Sequence, residues 1–165
     1  MTTVKMVEEE EARGEVRAVF DDIKASRGID FVPNFWKTIA RHPPTLKRVW
    51  TTLKAVMEPG RLDPLTKEML AVAVSATNAC DYCVNSHIAA ARKLGMDDEM
   101  LGELMAVVGM FNQTNKLVEG YQVEVDERIL RAARGESGKG SGPKAARKPS
   151  AKSSSRKRGR RAGKN

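Results

Sequence analysis

At 165 residues the chain has room for one ordinary domain and a little more, and its 41% hydrophobic content can supply a core. No run approaches the eighteen or so consecutive apolar residues of a membrane span, and the acidic start, Glu8 to Glu11, is the opposite of the basic-then-apolar start of a secretory signal. The net charge of +8 is unevenly placed: residues 135–165 hold eleven Lys and Arg against the single acid Glu136, leaving 18 bases against 20 acids in residues 1–134. The pattern points to a cytoplasmic protein with no membrane association and a basic tail.

Helical periodicity dominates, with no alternating strand pattern and no Asn-Gly or Asp-Gly hairpin turn, so an all-α body is expected over 1–134. The first helix is predicted over Glu10 to Ser26, with Val16, Val19, Phe20 and Ile23 at helical spacing. Pro33 to Arg41 offers Phe35, Trp36 and Ile39 before His42-Pro43-Pro44 interrupts. Pro44 to Met57 follows, with Leu46, Val49, Trp50, Leu53 and Val56 inward and Pro59-Gly60 as its stop. Asp63-Pro64 opens a fourth helix, since Asp accepts from orphan N–H groups and Pro is tolerated at the first helical position. This helix is expected to reach about Ala79. Its run Met69 to Val74 is apolar on nearly every side, as in a buried central helix. A fifth helix begins at Cys80 or Asp81 and ends at Leu94-Gly95, with Gly in the left-handed position. At Met96-Asp97-Asp98-Glu99 a sixth starts on an Asp cap, with Met96 and Leu101 spaced as a hydrophobic staple, and runs to about Met110. The remainder, Phe111 to Arg134, continues helically after a break near Asn112 to Asn115, with Leu117, Val118, Tyr121, Val125, Ile129 and Leu130 on one stripe.

Residues 135–165 are a different material. Gly, Ser, Lys, Arg, Pro and Ala make up almost all of them, too little apolar surface to offset ordering entropy, so a disordered tail is expected. Lys144, Arg147, Lys148, Lys152, Arg156, Lys157, Arg158, Arg160 and Arg161 are candidates for neutralising phosphates of DNA or RNA without sequence choice. No aromatic residues interleave them for base stacking.

The chemistry concentrates at Cys80-Asp81-Tyr82-Cys83-Val84-Asn85-Ser86-His87, which holds both cysteines and one of the two histidines. In a reducing compartment a lone Cys-x-x-Cys reads as catalytic or metal-binding more readily than as a staple. A helix N-terminus and a neighbouring proton acceptor both favour the reactive thiolate. Cys83 and His87 are i and i+4 neighbours, which makes Cys83 the better nucleophile and Cys80 the resolving thiol. A peroxide would oxidise Cys83 to a sulfenic acid, Cys80 would close the disulfide, and a dithiol donor would reopen it. Glu68, just before the cysteine helix, would stand beside the thiols if the two helices pack antiparallel; an exposed Glu paired with a Lys is the plainer alternative.

Glu68, eleven intervening residues, Cys80-x-x-Cys83, three more and His87 together resemble the active-site signature of the alkylhydroperoxidase D-like branch of the carboxymuconolactone decarboxylase superfamily. Val32-Pro33-Asn34-Phe35, Pro43 or Pro44, Leu62-Asp63-Pro64 and Ala90 to Gly95 follow in the same order, so the resemblance runs from about Phe31 to Asp126. It implies an all-helical fold assembling as homo-trimers or hexamers. It also implies peroxidase (peroxiredoxin) or disulfide-reductase activity in antioxidant defence, with no bound cofactor. The partners would be a peroxide and a dithiol reductant or lipoyl-bearing protein as electron donor. By position the resemblance makes Cys83 the attacking thiol, Cys80 its partner, and Glu68 with His87 a water-assisted proton relay. The best-known members carry His immediately before the second cysteine, where this chain has Tyr82, a poor base near neutral pH. The decarboxylase branch does not use this cysteine pair, so lactone decarboxylation is not expected.

A rival reading makes Cys80, Cys83 and His87 zinc ligands, with Glu68 or His42 as the fourth. Its weakness is the missing second ligand pair, because three ligands on one helix tie nothing together. Trp36, Trp50 and the eight methionines fit core or subunit contacts at helical spacing.

Overall fold

A computed structural model describes residues 2–136. The expected disordered tail beyond Glu136, and with it the nucleic-acid candidates from Lys144 to Arg161, lies outside the described residues. Every regular element among them is a helix: α1 (Gly14–Arg27), α2 (Asn34–Ile39), α3 (Pro43–Met57), α4 (Pro64–Thr77), α5 (Asp81–Lys93), α6 (Asp98–Gly120) and α7 (Glu127–Ala133). Met1–Gly120 forms one compact unit and a second begins at Tyr121, whose described part holds α7.

Within the first unit, α1 and α2 pack on α3, while α5 and α6 pack on α4. The core lies in the first group. Val16, Val19, Phe20 and Ile23 of α1 meet Trp36 and then Leu46 and Trp50 of α3, all buried as their spacing predicts. Trp36 and Trp50 pack edge to face, with centroids 5.3 Å apart. The indole N–H of Trp50 donates to Asp22 Oδ2 at 2.6 Å, so the ring is buried without an orphan donor.

The first helix starts at Gly14, four residues later than its apolar spacing suggests, because the acidic segment before it wraps back over the bundle. Glu9 accepts from Lys24 Nζ at 2.8 Å and from the Val32 backbone N–H at 2.7 Å, and Val7 N–H donates to the Lys37 carbonyl. Three further expectations are corrected. Val56 is exposed, because it lies about 80° around α3 from Leu46 while Met57 holds the inward stripe. In α4 only Val72 and Ser75 are buried, and Leu70 and Val74 face outward. The break expected near Asn112 to Asn115 is absent: α6 runs on to Gly120. Asn112 is accommodated mid-helix by donating to the Val108 carbonyl and to Thr77 Oγ1 on α4, and the chain leaves the helix at Tyr121, with Gln122 at φ 50°. The single stripe predicted from Leu117 to Leu130 is therefore split at this point.

Helix ends follow their sequence signals. Asp63 Oδ1 accepts from Thr66 N–H at 2.9 Å to cap α4, and Asp97 Oδ1 accepts from Met100 N–H at 2.8 Å to cap α6. Gly95, at φ 102°, closes α5 with Gly95 N–H donating to the Arg92 carbonyl and Met96 N–H to the Ala91 carbonyl. The same motif ends α4 without a glycine. Ala79 N–H donates to the Ala76 carbonyl and Cys80 N–H to the Ser75 carbonyl, with Ala79 itself in the left-handed region at φ 53°. The helix thus ends at Thr77 rather than Ala79, and this tight turn delivers the chain straight to Cys80.

Candidate functional site: a dithiol beside a carboxylate-held histidine

Cys80 is the N-cap of α5, and its sulfur accepts from the Cys83 backbone N–H at 3.3 Å. Cys83 lies one turn in, and the two sulfurs are joined as a disulfide across a Cα–Cα distance of 5.3 Å. Both residues are half-buried. One of the unpaired N–H groups of the first turn, that of Cys83, thus points at a sulfur of the pair, and a helix N-terminus is a setting that favours a thiolate once the bond is reduced.

His87 follows Cys83 by four residues, so the two share a face of α5. Its Nδ1 lies 2.7 Å from Glu68 Oε2. An ionised carboxylate only accepts, so Nδ1 carries the proton and Nε2 is the ring's acceptor. The pair is well shielded, with side-chain exposures of 20% for His87 and 14% for Glu68. α4 packs closely against α5, and the short turn through Ala79 makes them antiparallel neighbours that bring residues 19 apart together. Among the described residues Glu68 has no lysine partner; the adjacent Lys67 instead donates to the Val56 and Glu58 carbonyls at the end of α3.

Tyr82 points elsewhere. Its hydroxyl accepts from the Phe35 backbone N–H at 3.2 Å, and its ring lies 6.5 Å from that of Phe35. The contact ties the first turn of α5 to the start of α2 and supplies an acceptor to one of the orphan donors there. Sequence reasoning treated Tyr82 only as a missing base and did not find this role, nor the left-handed Ala79; a tertiary contact and a backbone angle leave no periodic mark.

Among the described residues, no three His, Cys, Asp or Glu side chains are gathered as a metal would need. His42, the other candidate fourth ligand for zinc, sits at the N-cap of α3 with Nδ1 2.8 Å from Thr45 Oγ1.

A groove of about 1150 Å³ opens beside the site. One wall is the end of α1 with α3, through Arg27, Trp50, Leu53 and Met57; the other is a face of α5 from Tyr82 through Ser86, Ala89 and Ala90. Glu68 also lines it, so the groove reaches the carboxylate that holds His87.

Comparison with known proteins identifies the family. Residues 43–123 match the model of the carboxymuconolactone decarboxylase family. The crystal structure of the alkylhydroperoxidase AhpD core from Rhodospirillum rubrum is similar, with a TM-score of 0.76 and 49% identity, over 79% of this chain and 98% of that one. Two curated proteins are more distant. An (R)-2-haloacid dehalogenase of Pseudomonas putida is 27% identical over 106 residues, 64% of this chain and 35% of its own length. Uncharacterized protein 4 in the cox locus of Paracoccus denitrificans is 37% identical over 54 residues, 33% of this chain and 49% of its own. This chain therefore spans half or less of those two relatives. The all-helical fold and the near-complete match to the AhpD core place this chain in the alkylhydroperoxidase D-like branch of the carboxymuconolactone decarboxylase superfamily.

Proposed function

We propose that the chain is a cytoplasmic thiol-dependent peroxidase in which Cys83 attacks the peroxide, Cys80 resolves, and His87, oriented by Glu68, moves the proton. The reading rests on one juxtaposition: a cysteine pair that closes as a disulfide, one helical turn from a histidine already oriented by a carboxylate. In the reduced protein, His87 Nε2 takes the Cys83 thiol proton, through water where the two do not touch. The thiolate attacks the terminal oxygen of ROOH, the O–O bond breaks, and ROH leaves with the proton that His87 returns. Cys80 sulfur then attacks the Cys83 sulfenic acid and expels water. The balance is two electrons from the dithiol, giving ROH, water and the disulfide. An external dithiol restores the pair by exchange. A hydrolytic reaction such as dehalogenation has no use for a redox pair, which favours the peroxidase reading over one drawn from the dehalogenase.

The test is peroxide consumption with dihydrolipoamide as donor. Cys83→Ser is expected to abolish turnover. With the donor left out, Cys80→Ser is expected to consume one equivalent and stop, with intact mass reporting a single added oxygen on Cys83, whereas the wild type ends as the disulfide. Turnover that survives Cys83→Ser, or no cysteine-dependent oxidation by any peroxide, overturns the assignment.

A further inference from the structure

The groove beside Glu68 is mostly apolar, yet Arg27 is set into its wall. Arg27 is the last residue of α1, where the helix dipole favours a cation. Its guanidinium carbon lies 5.9 Å from the ring centroids of both Trp36 and Trp50, so two cation–π contacts fix the group. Both contacts engage the guanidinium through aromatic faces and leave its N–H edge unused. Among the described residues it makes no hydrogen bond and no ion pair.

The groove's other charges differ in kind. Lys54 is held by Asp22 at 2.8 Å, and Glu68 by His87. Glu58, Asp81 and Lys93 are exposed and solvated. Among the described residues, Arg27 alone on this lining is a half-buried charge without a hydrogen-bond or ion-pair partner. A guanidinium presents N–H donors in a planar fork that matches a carboxylate, and it is retained beside apolar surface where such recognition is needed. The surface around it, Leu53, Met57, Ala89 and Ala90, suits a methylene chain.

We infer that the groove binds an apolar chain carrying a carboxylate, with Arg27 as the residue that reads the carboxylate. Resting on the peroxidase reading, this makes the substrate a hydroperoxide of an anionic amphiphile, held by its charge at Arg27 while the reacting end reaches toward Glu68 and the cysteine pair.

The experiment reads binding without turnover. Full-length protein is titrated with decanoate and with 1-decanol, which share a chain and differ in charge, following Trp emission because Trp36 and Trp50 flank Arg27. Decanoate is expected to bind about tenfold more tightly than decanol, the increment of one charge-assisted bidentate contact. Arg27→Gln should erase the preference and Arg27→Lys should keep part of it. Ala89→Phe, at an exposed position on the α5 wall of the groove, should weaken both ligands together. Equal affinity of the two ligands for wild type, a preference that survives Arg27→Gln, or binding indifferent to Ala89→Phe overturns the inference. Because the wild-type comparison stands by itself, a misfolded Arg27→Gln protein does not rescue it. If peroxide turnover fails while decanoate binding follows this pattern, the peroxidase reading falls and the carboxylate site remains.

Discussion

In the proposed mechanism Glu68 acts on the chemistry only through His87. Its 2.7 Å contact fixes which imidazole nitrogen bears the proton, so it is a positioning residue. Glu68→Gln keeps the shape and offers an amide that can present its NH₂ instead of its oxygen, allowing the wrong tautomer. The expected result is a fall in kcat/KM for peroxide of about tenfold to a hundredfold, the range seen when an oriented histidine loses its partner. Glu68→Asp should recover part of it, and the unfolding midpoint should hardly move. A loss of stability with unchanged turnover would make the pair merely structural. Ala79 is the second residue on which the site depends. A non-glycine residue in the left-handed region costs about 1–2 kcal/mol, and Gly there costs about 0.5–1 kcal/mol in unfolded-state entropy. Ala79→Gly is therefore expected to raise stability by up to about 1 kcal/mol in urea, with Cys80 still capping α5. Destabilisation would mean that the turn is not strained.

The helices show which physical signals a sequence carries. Caps and apolar spacing are local, so Asp63, Asp97 and Gly95 were legible as helix ends, and the α1 and α3 stripes as core. The end of α4 was not, because Ala79 is a strong helix former placed at a position that glycine usually fills. Neither was the strap formed by residues 5–12, whose run of acids gives no periodicity. Its anchor, Glu9, is 21% exposed, and its carboxyl is held below the ordinary value of 4.5, first by the hydrogen bond from Lys24 and then by the Val32 N–H. A folded value below the unfolded one stabilises the fold above about pH 4.5, and that contribution disappears as pH falls through the depressed value. Glu9→Gln should thus cost about 1–2 kcal/mol at pH 7 in urea unfolding. The gap from wild type should close as the pH is lowered below 4.5; a gap constant down to pH 2.5 would show that the carboxylate charge is not what holds the strap.

At the scale of the whole molecule, the apolar residues of α4 and α6 pose a question that the isolated chain does not answer for itself. The run Met69 to Val74 has the composition of a buried central helix, yet Leu70 and Val74 are 52% and 60% exposed. In α6, Val107, Met110, Phe111 and Val118 recur at helical spacing on an open stripe, and none of the helix's residues is fully buried. α4 and α6 pack on each other, so these exposed residues belong to neighbouring elements. A soluble monomer rarely leaves so much contiguous apolar surface in water. Composition registers only that these faces are apolar, and periodicity within one chain does not distinguish a face packed inside it from one covered by another molecule. We propose that this surface is covered by further copies of the chain, as trimers or hexamers. Light scattering on the size-exclusion peak should then give three or six times the chain mass of 18.2 kDa. Phe111→Glu would place a charge in the covered stripe, where it would be desolvated without a partner. That variant should shift toward monomer while its circular dichroism stays helical. A wild-type peak at 18.2 kDa at tens of micromolar, or an assembly indifferent to both Phe111→Glu and Val74→Glu, would show that the exposed stripe has some other cover.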